Sequence, residues 1–160
     1  MNIEGVPIRF PEGANIIFGQ SHFIKTVEDI HEVMATSAPA IKFGLAFSES
    51  SGPCLIRHSG NDPDLTRQAA ENMTRVGCGH TFLVIMTGAF PIHVLNGIKA
   101  CPEVCRIFCA TANPVTALVV RNAEGGGVVG VIDGLKPKGV ETEADQQKRR
   151  EFLRMIGHKL

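Results

Sequence analysis

The stretch Asp62–Thr87, DPDLTRQAAENMTRVGCGHTFLVIMT, sets one amphipathic helix directly before one apolar strand. Asp62 followed by Pro63 is the favoured pair at a helix start, and Gly77 offers the left-handed residue at which helices commonly end. The apolar run His80–Thr87 is too short for an independent helix and is typical of a buried strand. This stretch therefore predicts a strand covered by a helix.

The same alternation of short β-branched runs and periodic segments continues on both sides. We predict the order ββαββαβαβββα, with strands at Asn2–Phe10, Ala14–Phe18, Ile41–Phe47, Cys54–His58, His80–Thr87, Glu103–Ala110, Val115–Arg121 and Val128–Ile132 and helices at Thr26–Ala38, Pro63–Val76, Pro91–Ala100 and Thr142–Ile156. Hairpin neighbours mixed with helical crossovers predict an α+β fold: one domain, residues 1–160, with a mixed β-sheet flanked by about four α-helices in a layered α/β sandwich. In the last helix, only the end is expected to be buried, through Phe152, Leu153 and Ile156.

Composition excludes several classes of protein. The 160 residues carry 16 Lys and Arg against 16 Asp and Glu, so no basic excess favours binding to nucleic acid through its phosphates. The longest apolar run is far shorter than the roughly 20 residues that span a bilayer, and no secretory leader is visible. Five cysteines in a chain of this size indicate free thiols in a reducing compartment. We therefore expect a cytoplasmic protein that engages neither nucleic acid nor membrane.

Two sequence motifs match the residue patterns of cofactor-binding sites. Gly125–Gly130 spells G-x-G-x-x-G, but it leads into the run Val128–Ile132, so a glycine-rich hairpin is predicted instead of a dinucleotide site. Cys101, Cys105 and Cys109 have a regular spacing, yet on a strand Cys105 and Cys109 would share one face, as in a core layer. We predict no metal, no disulfide and no built-in cofactor.

The segment Gly19–Thr26 joins a strand to the start of a helix. Amide groups at a helix start lack intrahelical partners and attract anions, and Lys25 adds a positive charge there. His22 is able to act as acid, base or phosphoryl acceptor near neutral pH, with Gln20 and Ser21 beside it. A lone loop histidine is also compatible with a purely structural role, and the sequence leaves both readings open.

Further polar residues stand at other predicted strand ends, where sheet proteins commonly bind ligands. His80 precedes an apolar strand, and Glu49 with Ser51 lies in a turn that Gly52-Pro53 already explains. Asn113 and Asp133 end two other strands. A structural role, as a cap or a turn, is open for each of them.

Five blocks of sequence carry a resemblance to a known family: GQSHFIKTVEDI (19–30), KFGLAFSESSGPCLIRHSGND (42–62), GHTFLV (79–84), IFCATANPV (107–115) and GVVGVIDG (127–134). Together they resemble the adenosine-specific kinase family, over about residues 2–158. The resemblance implies a small single-domain protein that binds adenosine or AMP and transfers a phosphoryl group. It also implies an external phosphate donor, because the sequence contains no Walker-type ATP loop.

Combined with this resemblance, the residues predict one pocket. His22, Lys25, His80 and Asp133 would be its catalytic group, with Lys25 holding phosphate, His22 accepting it or relaying a proton, and Asp133 as a base. Gln20, Ser21, Glu49, Ser51 and Asn113 would bind purine and ribose. The alternatives are a nucleoside or AMP sensor without turnover and a hydrolase using His22 with His80. A homo-oligomer is expected, preferably a trimer, since a chain of this size has few residues for a closed cleft.

Overall fold

The computed structural model describes residues 2–160 and forms eight strands and four helices over that range, in the predicted order. The strands are β1 (Ile3–Ile8), β2 (Asn15–Ser21), β3 (Lys42–Ser48), β4 (Ile56–Gly60), β5 (Thr81–Thr87), β6 (Val104–Thr111), β7 (Val115–Arg121) and β8 (Gly126–Asp133). The helices are α1 (Thr26–Ser37), α2 (Pro63–Val76), α3 (Pro91–Ala100) and α4 (Glu143–Met155). The predicted α+β class is confirmed.

The strands form two antiparallel sheets and not the one mixed sheet predicted. One sheet has five strands in the order β4-β3-β5-β2-β6, and the other has three in the order β1-β7-β8. Helix α1 joins β2 to β3, which run parallel, but β5 lies between them and pairs antiparallel with both. A sequence pattern shows which strands a helix connects and not which strand is inserted between them, and this is why the prediction was wrong.

Alternate side chains of the five-stranded sheet bury two apolar layers on its opposite faces. On β5, Leu83 and Ile85 face α2 and the three-stranded sheet, whereas Phe82, Val84 and Met86 face α1 and α3. Each fully buried side chain of this size stabilises the fold by about 1.5–3 kcal/mol. The central strands are thereby fixed from both sides, and their ends are held in place.

A close backbone contact sets the position of α2. Gly44 of β3 lies so near this helix that a Cβ there would be 2.1 Å from backbone atoms of Leu65 and Thr66. Asp62 caps the helix by accepting the Leu65 N–H at 3.0 Å, and Gly77 ends it with φ +55°. Both caps are as the sequence predicted, because capping depends on local chemistry.

Helix α4 differs from the prediction for its apolar end. Thr142 caps it, but none of its residues is buried, and Phe152 and Ile156 remain 52% and 41% exposed. Helical periodicity reveals an apolar stripe and does not reveal what covers it.

The cysteines of β6 were also placed wrongly. Cys105 is exposed while Cys109 is buried, and Ile107 packs in the opposite layer from Cys109. The causes are two shifts in the β2–β6 register, between Phe18 and Gly19 and between Gln20 and Ser21, which break the two-residue alternation of faces.

Candidate functional site

Most of the predicted site residues gather at one end of the five-stranded sheet. In the ladder, Gln20 pairs with Thr81, and Ser21 pairs with Val104. The residues just beyond these pairs therefore lie side by side. We call this end, formed by 20–25, 48–51, 79–81 and 103, the histidine end.

His80 links the strands of the histidine end. Its N–H donates to the Ser48 carbonyl at 2.7 Å, and its own carbonyl accepts the Ser21 N–H at 2.9 Å. Its backbone is left-handed, with φ +61°, and its ring lies 6.0 Å from that of Phe47, nearly parallel at 17°. A left-handed residue other than glycine costs about 1–3 kcal/mol and is common at functional sites. The strand itself begins one residue later than predicted, at Thr81.

Gly79 brings the preceding loop into contact with this histidine. A Cβ on Gly79 would lie 2.4 Å from Ser50 Oγ and 2.8 Å from Ser50 Cβ. A larger residue at position 79 would therefore displace the Ser50 side chain, whereas the Ser50 Cα, at 3.4 Å, would be at ordinary contact distance. The loop that follows β3 is therefore packed directly against the start of β5.

His22 is exposed on the turn that leaves β2. Its N–H donates to the Glu103 carbonyl at 3.0 Å, and its ring lies 6.4 Å from that of Phe23. The structure thus brings His22 and His80 to the same sheet end, with Ser21 between them. Ser21 is buried and its hydroxyl is hydrogen-bonded to the Thr26 hydroxyl at 2.7 Å, so its role here is to anchor the turn.

The start of α1 differs from the prediction in a way that affects anion binding. Lys25 is the N-cap residue, and the Thr26 hydroxyl turns back to donate to the Phe23 carbonyl at 2.5 Å. The amides of Thr26, Val27 and Glu28 donate to the carbonyls of Phe23, Ile24 and Lys25 respectively. The first-turn amides are therefore already occupied by the chain.

Lys25 is engaged as well. Its ammonium lies 2.8 Å from the Asp29 carboxylate, an exposed pair spaced i,i+4 on the helix. The hydrogen bond that Lys25 donates to Asp29 raises the pKa of Lys25, and the charge of Glu103 raises it further. Lys25 remains charged at neutral pH, but an anion must compete with Asp29 to reach it.

Glu49 and Ser51 occupy the loop after β3. The Glu49 carboxylate accepts the Leu55 N–H at 3.0 Å and two contacts from Arg57, at 3.1 and 3.2 Å. The Leu55 N–H and then Arg57 hold the pKa of this carboxyl below its ordinary value. Ser51 is exposed, and its carbonyl accepts the Cys54 N–H at 3.3 Å. The hydrogen bonds of Glu49 thus hold the conformation of the loop in which it lies.

Asn113 and Asp133 do not share a pocket with His22 and His80 within one chain. The Asn113 amide donates to Asp133 at 3.2 Å, beyond the Thr111 end of β6, whereas Val104 at the other end of β6 pairs with Ser21. Five residue steps separate Ser21 from Ile16, the partner of Thr111, which is about 17 Å along a strand. The prediction of a single pocket holding all four catalytic candidates is therefore wrong for Asp133 in the isolated chain.

Glu103 is the residue that sequence reasoning missed. Its side chain is 2% exposed, and neither carboxylate oxygen has a hydrogen-bond partner among residues 2–160. Such groups are rare, because an unpaired polar group is costly to bury. A charged residue just before an apolar strand was the available signal, but its burial depends on how α1 and α3 pack.

Two cavities open at the histidine end, one on each face of the sheet. A cavity of about 580 Å³ is lined by Ile24, Lys25, Val27, Glu28 and the 55–58 segment, and one of about 330 Å³ by 48–50, 54, 56, 77–79 and 124–126. Both are of the size that small ligands occupy. A cavity of about 720 Å³ between β4 and α2 is lined by none of the predicted site residues. Lys25 lines the first of these two cavities and Glu49 the second, whereas His22, His80 and Glu103 line neither.

The sequence matches the family described as adenosine specific kinase over residues 6–159. The chain belongs to the adenosine-specific kinase family. The resemblance found in the sequence blocks is thereby confirmed, and membership supports adenosine as a small-molecule partner and adenosine-related phosphoryl transfer.

The adenosine-specific kinase fold of this chain is shared with a solved structure. The crystal structure of the PH1918 protein from Pyrococcus horikoshii OT3 is 42% identical, with a TM-score of 0.95 over 99% of this chain and 98% of that one. A search of curated proteins found no match.

Two further properties concern residues 2–160, the part of the chain that the structure describes. Within it, no helix has the length and apolarity needed to cross a membrane. Nor do three His, Cys, Asp or Glu side chains in that range lie close enough to share a metal ion.

Proposed function

We propose that this chain binds adenosine and AMP at the histidine end and transfers a phosphoryl group to adenosine, with His22 as the phosphoryl carrier. The observation that carries the proposal is the pairing of two histidines at one sheet end: His22 is exposed on its turn, and His80 is joined to the neighbouring Ser21 by a backbone hydrogen bond. Imidazole is a nucleophile at neutral pH and is accessible here. Family membership supports adenosine as the acceptor.

The reaction has two steps in this proposal. A ring nitrogen of His22 attacks the terminal phosphorus of an external phosphoanhydride donor, the N–P bond forms, and the donor departs with the bridging oxygen. A ribose hydroxyl of adenosine then attacks the same phosphorus, the N–P bond breaks, and the hydroxyl proton passes to His80 as the base. Phosphoryl transfer depends mainly on positioning and charge neutralisation, which an ordered turn and a lysine supply.

Lys25 is the charge-neutralising group. Its pair with Asp29 is exposed on both sides, with 42% and 29% of the side chains accessible, and pairs of this kind contribute little stability. A phosphoryl group carrying more than one negative charge is a stronger partner than one carboxylate. Lys25 therefore exchanges Asp29 for the phosphoryl group at little cost to the fold.

We also propose a homo-oligomer, preferably a trimer, and α4 supports it. No residue of this 13-residue helix is buried, and Met155 is 77% exposed beside the partly exposed Phe152 and Ile156. Isolated helices of this length are marginal in water, so an apolar stripe without a core needs a neighbour. Assembly would also be the way to bring Asn113 and Asp133 of one subunit near the histidine end of another. Sedimentation at micromolar concentration should show an oligomer, and a monomer would contradict this.

A sensor without turnover is the second candidate, and one observation favours it. The first-turn amides of α1 are already bonded and Lys25 is paired, so the free chain presents a weak anion site. A sensor would bind adenosine well, and its affinity for AMP would be no higher than its affinity for adenosine.

One assay separates the candidates. The purified chain is incubated with adenosine and labelled phosphoanhydride donors, and in parallel with AMP alone. Formation of labelled AMP supports the transferase. Binding of adenosine by calorimetry without any transfer indicates the sensor, and loss of AMP without a donor indicates the hydrolase that uses His22 and His80.

A further inference from the structure

The carboxylate of Glu103 is buried at the histidine end without a hydrogen-bond donor among residues 2–160. Its backbone carbonyl accepts the His22 N–H at 3.0 Å, so it belongs to the same local structure as the proposed phosphoryl carrier. Burial of a polar group without a partner opposes folding, whether or not the group carries a proton. Groups of this kind in natural proteins call for an explanation, such as strain, a catalytic role, or an ion or water bound at the site.

Lys25 and Cys101, the two groups whose pKa the charge of Glu103 raises, do not satisfy its carboxylate. Lys25 donates to Asp29 at 2.8 Å, and the Cys101 thiol is directed to the Gly97 carbonyl at 3.6 Å. Burial raises the pKa of Cys101, and the charge of Glu103 raises it further, so the two groups are neighbours but not partners. The carboxylate is therefore left to accept from something outside this chain's own side chains.

We propose that Glu103 accepts hydrogen bonds from the ribose hydroxyls of the nucleoside, which makes the site selective for ribonucleosides. This rests on the proposed function. A carboxylate presents two acceptor oxygens and no donor of its own when ionised, which matches a pair of vicinal hydroxyls. Carboxylates recognise ribose hydroxyls in the same way in dinucleotide-binding proteins.

Entry of the ribose requires a shift of the turn that joins His22 to Lys25, because both carboxylate oxygens are closed to solvent. Phe23 and Ile24, the two large side chains of that turn, are 50% and 41% exposed, so the core does not hold them. The neighbouring Thr26 is buried and hydrogen-bonded to Ser21, which gives the movement a fixed base. The turn thus closes over the nucleoside once the ribose hydroxyls donate to the Glu103 carboxylate.

Calorimetric titration of adenosine and 2′-deoxyadenosine tests this with the wild-type chain, Glu103→Gln and the matched control Glu32→Gln, which alters an exposed glutamate on α1. A hydrogen bond to a charged group should make the wild type and the control favour adenosine over 2′-deoxyadenosine by roughly ten- to a hundredfold. In Glu103→Gln this preference should fall to within about threefold, through loss of adenosine affinity.

Thermal unfolding of the free proteins completes the test. Glu103→Gln should melt at or above the wild-type temperature, since it replaces a buried carboxylate without a partner by an uncharged amide. Glu103→Asp should also lose the ribose preference because its carboxylate is withdrawn by one methylene. The proposal is overturned if Glu103→Gln keeps the preference for adenosine over 2′-deoxyadenosine, if it selectively raises the affinity for AMP, or if its melting temperature is well below that of the wild type. Failure of the wild type to bind adenosine would instead refute the proposed function itself.

Discussion

Replacement of Gly79 by alanine tests whether the close approach of two loops sets the geometry of the histidine end. The added Cβ would lie 2.4 Å from Ser50 Oγ and 2.8 Å from Ser50 Cβ, about 1 Å inside an ordinary contact. Gly79 does not have a positive φ, so the cost is steric and not conformational. Overpacking of this kind costs about 1–3 kcal/mol, which is roughly 2–12 °C in melting temperature for a chain of this length.

The matched control removes the Ser50 side-chain atoms that the new Cβ would meet. With Ser50→Gly, the nearest remaining Ser50 atom, Cα, would be 3.4 Å from the new Cβ, an ordinary contact. In urea unfolding, the free energy of unfolding of Gly79→Ala should therefore be well below that of the wild type. Ser50→Gly alone should lie within about 1 kcal/mol of the wild type, and the double variant should return to near the Ser50→Gly value. Adenosine affinity should follow the same pattern, because the displaced residue is next to His80. Equal destabilisation in the single and double variants would refute the reasoning.

Three other predictions concern charge and exposure. Lys25→Ala should weaken the binding of AMP by roughly ten- to a hundredfold and the binding of adenosine far less, since only AMP carries phosphate. Equal losses of affinity for the two ligands in calorimetry would place the phosphate elsewhere. The pKa of Glu49 is lower in the folded than in the unfolded chain, so its contribution to stability is present at neutral pH and is lost as pH falls through the range below about 4.5; the stability difference between wild type and Glu49→Gln should shrink there. Burial raises the pKa of Cys109 to about 11, so alkylation at pH 8 should label exposed Cys105 and spare Cys109 until the chain unfolds, and rapid labelling of native Cys109 would contradict its burial.

What the sequence predicted well depends on short-range chemistry. The caps of α2 at Asp62 and Gly77 involve contacts within a few residues, and both occur as expected. The pair of Lys25 with Asp29 was not predicted, although its i,i+4 spacing was a short-range signal against a free anion site at the start of α1.

What the sequence did not predict depends on distant contacts. The insertion of β5 between β2 and β3 joins residues far apart in the chain, and the two register shifts that place Cys105 and Cys109 differently depend on the pairing of β6 with β2. The separation of Asp133 from His22 follows from the same topology. Glu103 shows the limit most clearly, since nothing in Pro102-Glu103-Val104 indicates that the acidic side chain is closed off by the segments packed around it.

The most direct measurement of the central claim is a single-turnover chase. The chain is charged with labelled phosphoryl from a phosphoanhydride donor, freed of donor, and mixed with adenosine. We predict acid-labile, alkali-stable label on His22 that moves to AMP with one AMP formed per labelled site, and no label on His22→Gln. Label that stays on the protein, or AMP formed by His22→Gln at the wild-type rate, would contradict the account.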